Sequence, residues 1–217
     1  MIKVSPSVLS ADFLDMKNVT SVQAGAMMEE HLISPEFARE NSHSALLLGR
    51  NKQCSVMINE EDHLRIQALG SGFCLEELFR SINRLDDYID GKVEYAFSEK
   101  YGYLTSCPTN LGTGIRASVM LHLPALTRRG LMDRVINSVS QVGITVRGLY
   151  GEGTQAGACL YQVSNSVTLG FTEDEITSCH NKTAERFSFI IRTLPSVEEL
   201  HLIGSKGILP CTLRRLY

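Results

Sequence analysis

Three stretches of this chain gather side chains that could do chemistry. In Asn59-Glu60-Glu61-Asp62-His63-Leu64-Arg65, three adjacent carboxylates stand just ahead of an arginine. Adjacent carboxylates repel unless cations or solvent separate them. The stretch is therefore either a solvated acidic turn or the point where one carboxylate and Arg65 enter a site. In Cys107-Pro108-Thr109-Asn110-Leu111-Gly112-Thr113-Gly114-Ile115-Arg116, a thiol, hydroxyls and free backbone N–H groups run into an arginine. That combination suits an anion held beside a nucleophile; the alternative is an ordinary loop before an ordinary strand. In Arg147-Gly148-Leu149-Tyr150-Gly151-Glu152-Gly153, the glycines let backbone approach a ligand closely, with Arg147 and Glu152 alongside. The alternative there is a flexible hairpin turn. His31, before Leu32-Ile33-Ser34-Pro35, could stack on or hydrogen-bond a ligand, or be a surface histidine favoured by a helix C-terminus.

Regular elements must position these residues. Thr20 caps a helix running through Val22, Ala26 and Met27 to about Glu30, and Pro35 holds Ser34 extended and helps break it. Ser44 to Gly49 and Cys54 to Ile58 read as strands joined by a polar turn, and Leu64 and Ile66 resume a strand. Leu75, Leu78, Phe79, Ile82, Leu85 and Ile89 recur at helical spacing, which predicts a helix over 75–90, ended by Gly91. Asp86 and Asp87 are expected on its solvated face. From Arg116 onward the pattern alternates. Ala117, Val119, Leu121 and Leu123 face one way, Arg116, Ser118, Met120 and His122 the other. Leu126 to Val142 reads as one helix stopped by Gly143, with Arg128 and Arg129 solvated near its start. Ile144 to Arg147, Cys159 to Val163 and Ser166 to Leu169 read as strands. Thr172-Glu173-Asp174-Glu175 is a capping box for a last helix. After about residue 180 the pattern decays, and Pro195, Gly204, Gly207 and Pro210 punctuate a tail with no predicted element. Strands and helices in blocks argue an α+β fold, a mainly antiparallel sheet flanked by helices.

Composition narrows the classes. The chain has 217 residues, 43% apolar and 21% charged, as in soluble globular proteins. A net charge of −3 gives no basic excess for nucleic acid. No run of about 18 apolar residues predicts a membrane span, and no secretory signal is recognised. The cysteines at 54, 74, 107, 159, 179 and 211 form no C-x-x-C pair, which argues against zinc, and without an export signal reduced thiols in a cytoplasm are expected rather than disulfides. Neither G-x-x-x-x-G-K-[ST] nor G-x-G-x-x-G is present. A phosphotransferase built from this chain is therefore neither a P-loop enzyme nor a eukaryotic-type protein kinase.

The three stretches, in this order, resemble the signature segments of the guanidino (phosphagen) kinases. Within that family, His31-Leu32-Ile33-Ser34-Pro35, Tyr103-Leu104-Thr105-Ser106-Cys107 and His122-Leu123-Pro124-Ala125-Leu126 are most similar to the bacterial protein-arginine kinases. The similarity spans about residues 15–178. It implies the guanidino kinase catalytic-domain fold, glutamine-synthetase-like, and transfer of the γ-phosphoryl of ATP, with Mg²⁺, to arginine guanidinium groups in proteins. By resemblance Glu61 and Glu152 grip the guanidinium and Cys107 lies beside it. Arg65, Arg116 and Arg147 hold phosphates, and His31 meets the nucleotide. Arg116, Ala117, Ser118, Val119 and Met120, with Arg147, Gly148, Leu149, Tyr150, Gly151 and Glu152, line the ATP site. Implied partners are arginine-containing proteins (a stress-response repressor and misfolded proteins), an activator protein and a second copy in a homodimer, with neither nucleic acid nor membrane bound directly and a cytoplasmic location. The alternatives are a kinase of a small guanidino compound such as free arginine, or a catalytically weak nucleotide-binding remnant.

These residue types suit that chemistry. A guanidinium is protonated and delocalised, with a pKa above about 12. Two carboxylates can fix its plane, and one can accept the proton as the N–P bond forms. A thiolate at Cys107 would add negative charge beside the cation. Arginines and Mg²⁺ stabilise the charge on the transferring phosphoryl. The family's early Ser-x-Arg-x-Arg stretch, whose arginines bind phosphates, has no counterpart, because no arginine precedes Arg39. We therefore expect a divergent segment over 1–14, a partial catalytic domain over 15–180 and a divergent tail over 181–217. Nucleotide binding should be weak unless another residue, Arg39 or Arg50 first, completes the clamp.

Overall fold

In the computed structural model the alternating segments join in one eight-stranded antiparallel sheet. The structure describes residues 11–39, 43–72, 74–141, 143–148, 159–170 and, as backbone, 208–216. The strands are β1 (Ala11–Asp15), β2 (Ala45–Gly49), β3 (Cys54–Ile58), β4 (Leu64–Gly70), β7 (Ile115–His122), β8 (Ile144–Gly148), β9 (Leu160–Asn165) and β10 (Ile208–Leu216). A separate two-stranded ribbon pairs β5 (Phe97–Ser98) with β6 (Gly102–Tyr103). The sheet order is β1-β2-β3-β4-β10-β7-β9-β8. The helices are α1 (Ser21–Glu29), α2 (Pro35–Arg39), α3 (Leu75–Asp90), α4 (Pro124–Arg128) and α5 (Met132–Ser140). The architecture is α+β, as the block pattern predicts.

Alternation sorts the sheet into two unlike faces. One face carries Val56, Ile66, Ala68, Ile115, Ala117 and Val119, which pack with Leu75, Leu78 and Ile82 of α3. The same layer continues under α4 and α5, where Val135, Val139 and Leu126 meet Ile144, Tyr161 and Val163. Each fully buried Leu or Ile side chain there contributes about 1.5–3 kcal/mol. The opposite face is covered over β2 and β3 by α1, α2 and the turn between them, through Ala24, Leu32, Ile33, Phe37, Leu46 and Met57. Beyond that cover the second face turns polar, with Arg65 and Gln67 on β4 and Arg116 and Ser118 on β7. The register Met120↔Gln162↔Arg147 puts Arg147 of β8 on it too.

Several expectations change. Thr20 does cap α1, in a reciprocal capping box with Gln23. Pro35, however, opens a second helix as its first residue, and Ser34 caps it by accepting from Phe37 N–H at 3.1 Å. The single helix expected over 126–142 is two, because Gly130, at φ 65°, ends α4 before α5 begins. Asp86 is buried rather than solvated; the Tyr95 hydroxyl donates to it at 3.2 Å. Ser166 to Leu169 is not a strand. Its polar groups turn toward the Cys107 loop, where Thr168 Oγ1 donates to the Thr109 and Leu111 carbonyls at 3.1 and 2.7 Å. The helix expected after Thr172 lies outside the described residues. The tail, where no element was predicted, supplies β10 between β4 and β7. Pro210 falls where the β10–β7 register shifts, the position a strand can give to proline.

Candidate active site

The acidic turn joins β3 to β4 and separates its carboxylates by role. Asn59, at φ 57°, starts the turn and its N–H donates to the His63 carbonyl at 2.9 Å. Glu60 turns inward. Its Oε1 accepts from Arg65 at 2.5 Å and from the Ser34 hydroxyl at 2.5 Å, and its Oε2 accepts from Glu61 N–H at 3.0 Å. The Glu60 and Arg65 side chains are only 4% and 10% exposed. Burial pushes the Glu60 carboxyl up, but the Arg65 charge and the donated hydrogen bonds outweigh it, so the group rests below the ordinary glutamate range. Asp62, also buried, accepts from Ser106 N–H at 2.6 Å and ties the turn to the Cys107 loop. Glu61 is exposed, and its carboxylate has no partner among the described residues.

That loop is held from several sides. Thr105 Oγ1 donates to the Cys107 carbonyl at 2.7 Å, and Cys107 Sγ lies 3.0 Å from Thr109 Oγ1. Gly112, at φ 104°, lets backbone pack on backbone: a Cβ there would sit 2.5 Å from the Thr168 carbonyl oxygen. Beyond the loop, Asn165 mimics a strand neighbour for the start of β7. Its Nδ2 donates to the Ile115 carbonyl at 2.9 Å and its Oδ1 accepts from Ala117 N–H at 3.0 Å. Arg116, between those two residues, is thereby fixed on the polar face. On the same face Gln162 Nε2 donates to Ser118 Oγ at 2.9 Å.

Electrostatics shows what converges. Burial, then the charges of Arg147 and Arg65, hold the Arg116 guanidinium below the ordinary arginine range, while Cys107 and Glu61 act in the opposite sense. Arg116 Nε is buried without a partner among the described residues. Cationic side chains from β4, β7 and β8 thus share one field with the thiol and the exposed carboxylate. An anion would relieve the repulsion among the arginines, and Glu61 with Cys107 would attract a cation beside it.

The remaining predicted positions fall as follows. His31 is exposed at φ 59°, and its carbonyl accepts from Gln67 Nε2 at 2.6 Å, which pins the α1–α2 turn to β4. Ala117 and Val119 belong to the apolar core, so along β7 only the alternate positions Arg116, Ser118 and Met120 face the site. Gly148 ends β8, while Leu149, Tyr150, Gly151 and Glu152 lie outside the described residues. Arg39 and Arg50 are both exposed, Arg50 in the β2–β3 turn at the far end of β3 from the acidic turn. Sequence reasoning passed over Glu60, Ser34, Asp62 and Asn165, which position Arg65, the loop and Arg116. The adjacency of Ser34 to Pro35 was the one visible sign, since it marks a helix cap.

The family model described as ATP:guanido phosphotransferase, C-terminal catalytic domain, matches residues 3–187. A protein-arginine kinase of Clostridium acetobutylicum is 54% identical over 151 residues, 70% of this chain and 44% of that protein. One of Geobacillus stearothermophilus is 48% identical over 206 residues, 91% of this chain and 57% of that protein. The chain thus spans about half the length of the curated relatives it matches. Among solved structures, a lombricine kinase superposes with a TM-score of 0.72 at 25% identity, over 91% of this chain and 58% of that one. The duplicated taurocyamine kinase of Schistosoma mansoni, bound to transition-state analogue components, gives a TM-score of 0.71 at 26% identity, over 84% and 26% of the two chains. Matched over most of its length, this chain belongs to the ATP:guanido phosphotransferase family, by its C-terminal catalytic domain.

Proposed function

We propose that this chain is the catalytic core of a protein-arginine kinase, which transfers the γ-phosphoryl of ATP to arginine side chains of proteins. The observation that carries it is the field around Arg116, in which Arg65 and Arg147 lie on one side of the balance and Glu61 and Cys107 on the other. A bound polyphosphate answers the first group and a guanidinium the second. Identity near 50% to protein-arginine kinases favours a protein acceptor over a free guanidino compound.

In this reading Arg65, Arg116 and Arg147 hold the phosphates and the charge that spreads over the transferring group. Glu60 and Ser34 fix Arg65 in place. Glu61 and Glu152 together orient the acceptor guanidinium and localise its charge away from the attacking nitrogen. That nitrogen bonds to the γ-phosphorus as the bond to the β–γ bridging oxygen breaks, its proton passes to a carboxylate, and ADP leaves. Cys107 adds negative character beside the acceptor, and His31 contacts the nucleotide. Arg116 Nε, buried without a partner among the described residues, fits phosphate oxygens rather than a bare cation. Mg²⁺ would come with the nucleotide rather than sit in a protein site, and would supply further charge neutralisation. A protein substrate, an activator, a second copy and a cytoplasmic setting belong to the same proposal.

The test is incubation with ATP, Mg²⁺ and an arginine-rich protein, then mass spectrometry for acid-labile phosphoarginine. Phosphoarginine on the protein supports the reading. Phosphorylation of free arginine with none on protein would reverse the choice of acceptor, and no phosphoarginine from either would reject catalysis by this chain.

A further inference from the structure

The polar face carries one more arginine position, contributed by the tail. β10 runs antiparallel between β4 and β7, and its register sets Arg214 directly between Gln67 and Arg116. Residues directly opposite across an antiparallel pair share a face of the sheet. Arg214 therefore belongs to the face of Gln67, Arg116 and Ser118, while Arg215, level with Ile66 and Ile115, belongs to the α3 face. Arg65 lies two residues from Gln67 on the same strand, level with Leu216. Three adjacent strands, about 4.8 Å apart, thus bring Arg65, Arg214 and Arg116 to one end of one face. No Asp or Glu occupies this face on β4, β10, β7, β9 or β8. Like charges directly opposite in a sheet destabilise it, so such a row is suited to an anion that several strands can hold together.

We propose that Arg214, set by the β10 register between Gln67 and Arg116, is a further phosphate-holding arginine of this site, supplied by the C-terminal strand to the polyphosphate of the bound nucleotide. The assignment rests on the phosphoryl-transfer reading above. It gives the tail a part in binding.

The experiment uses the whole chain and two probes, ATP with Mg²⁺ and inorganic tripolyphosphate, measured by calorimetry on the parent, Arg214→Gln and, as a surface control, Arg128→Gln. Loss of one charged contact should weaken both probes by about ten- to a hundredfold in Arg214→Gln, with the control unchanged. The ligand-free melting temperature should stay level or rise, because a repelling cation has gone; a merely structural arginine would lower it. Parental affinity of Arg214→Gln for both probes overturns the assignment and leaves the kinase reading intact. A parent that binds neither probe overturns both. Should Arg214→Gln melt early, arginine-directed phenylglyoxal labelling of the parent decides. Protection of Arg214 by tripolyphosphate, read by peptide mass spectrometry, supports the assignment, and equal labelling with and without it refutes it.

Discussion

Glu60→Ala removes one partner of the Glu60–Arg65 pair and leaves the other charged and buried. The pair closes at 2.5 Å with side chains 4% and 10% exposed. Truncating one member of such a pair costs about 3–5 kcal/mol, most of it the uncompensated charge. Domains are stable by about 5–15 kcal/mol, so about a fifth or more of the margin is at stake. For a chain of this length that corresponds to a melting temperature lower by about 6–20 °C. The double variant Glu60→Leu/Arg65→Met removes both charges while keeping volume, and should recover most of the loss while binding ATP more weakly than the parent, because Arg65 is gone. The pH dependence follows from the sign of the shift. The folded carboxyl lies below the ordinary glutamate value. Its contribution is therefore fully present above the unfolded value of about 4.3 and is lost as pH falls through the folded one. Glu60→Gln should flatten the acid side of the stability profile. Urea unfolding from pH 3.5 to 7.5 measures both effects. A loss under about 1 kcal/mol in Glu60→Ala, with an unchanged acid limb, would refute the reasoning and make the pair a surface contact.

Glu61→Gln should lower turnover by about a hundredfold or more and leave urea stability within about 0.5 kcal/mol, with ATP affinity kept; near-parental turnover would return Glu61 to a solvated turn. Cys107→Ala should slow transfer without loss of fold, and Cys107 should alkylate well ahead of Cys54, whose thiol burial pushes up to about 11; equal rates by mass spectrometry would count against a specially placed thiol. Gly112→Ala meets both a φ of 104° and the Thr168 carbonyl oxygen at 2.5 Å. It should cost at least about 1–3 kcal/mol in urea and slow transfer by displacing the Cys107 loop, and an unchanged midpoint would show that the loop relaxes without strain.

What the sequence made legible was local. The α3 stripe, the Thr20 cap, the alternation through Arg116 to His122 and the β2–β3 hairpin all depend on neighbours within a few positions. The misreadings share a different cause. An apolar stripe crosses Gly130 without interruption, so periodicity joined α4 to α5, although a φ of 65° separates them. Asp86 sits beside Asp87 on an apparently solvated edge, and only the fold brings Tyr95 over it. Ser166 to Leu169 alternates like a strand, but Thr168 and Asn165 direct their polar groups to a loop and a strand start some 50 residues away in sequence, Thr168 to Leu111 at |i−j| = 57 and Asn165 to Ile115 at |i−j| = 50. β10 was invisible for the strongest version of this reason: Pro210 interrupts its pattern, and both of its partners are more than 80 residues earlier in the chain.

The acidic turn shows why site residues were harder to rank than to find. Glu60, Glu61 and Asp62 are chemically near-equivalent in sequence, and the repulsion between them said only that they must separate. The fold separates them by what each can reach. Ser34 and Arg65 take the first, and the Ser106 backbone takes the third. The middle residue is left exposed within the field of Arg116. A carboxylate that must meet a substrate cation has to be without a partner in the free protein, and its neighbours have to be the ones that hold the turn still. The same division recurs among the arginines. Arg65 is neutralised from behind by Glu60, whereas Arg116 is held below the ordinary arginine range by burial and then by its cationic neighbours. On the proposed reading, a polyphosphate would gain most at Arg116, which the fold has already desolvated.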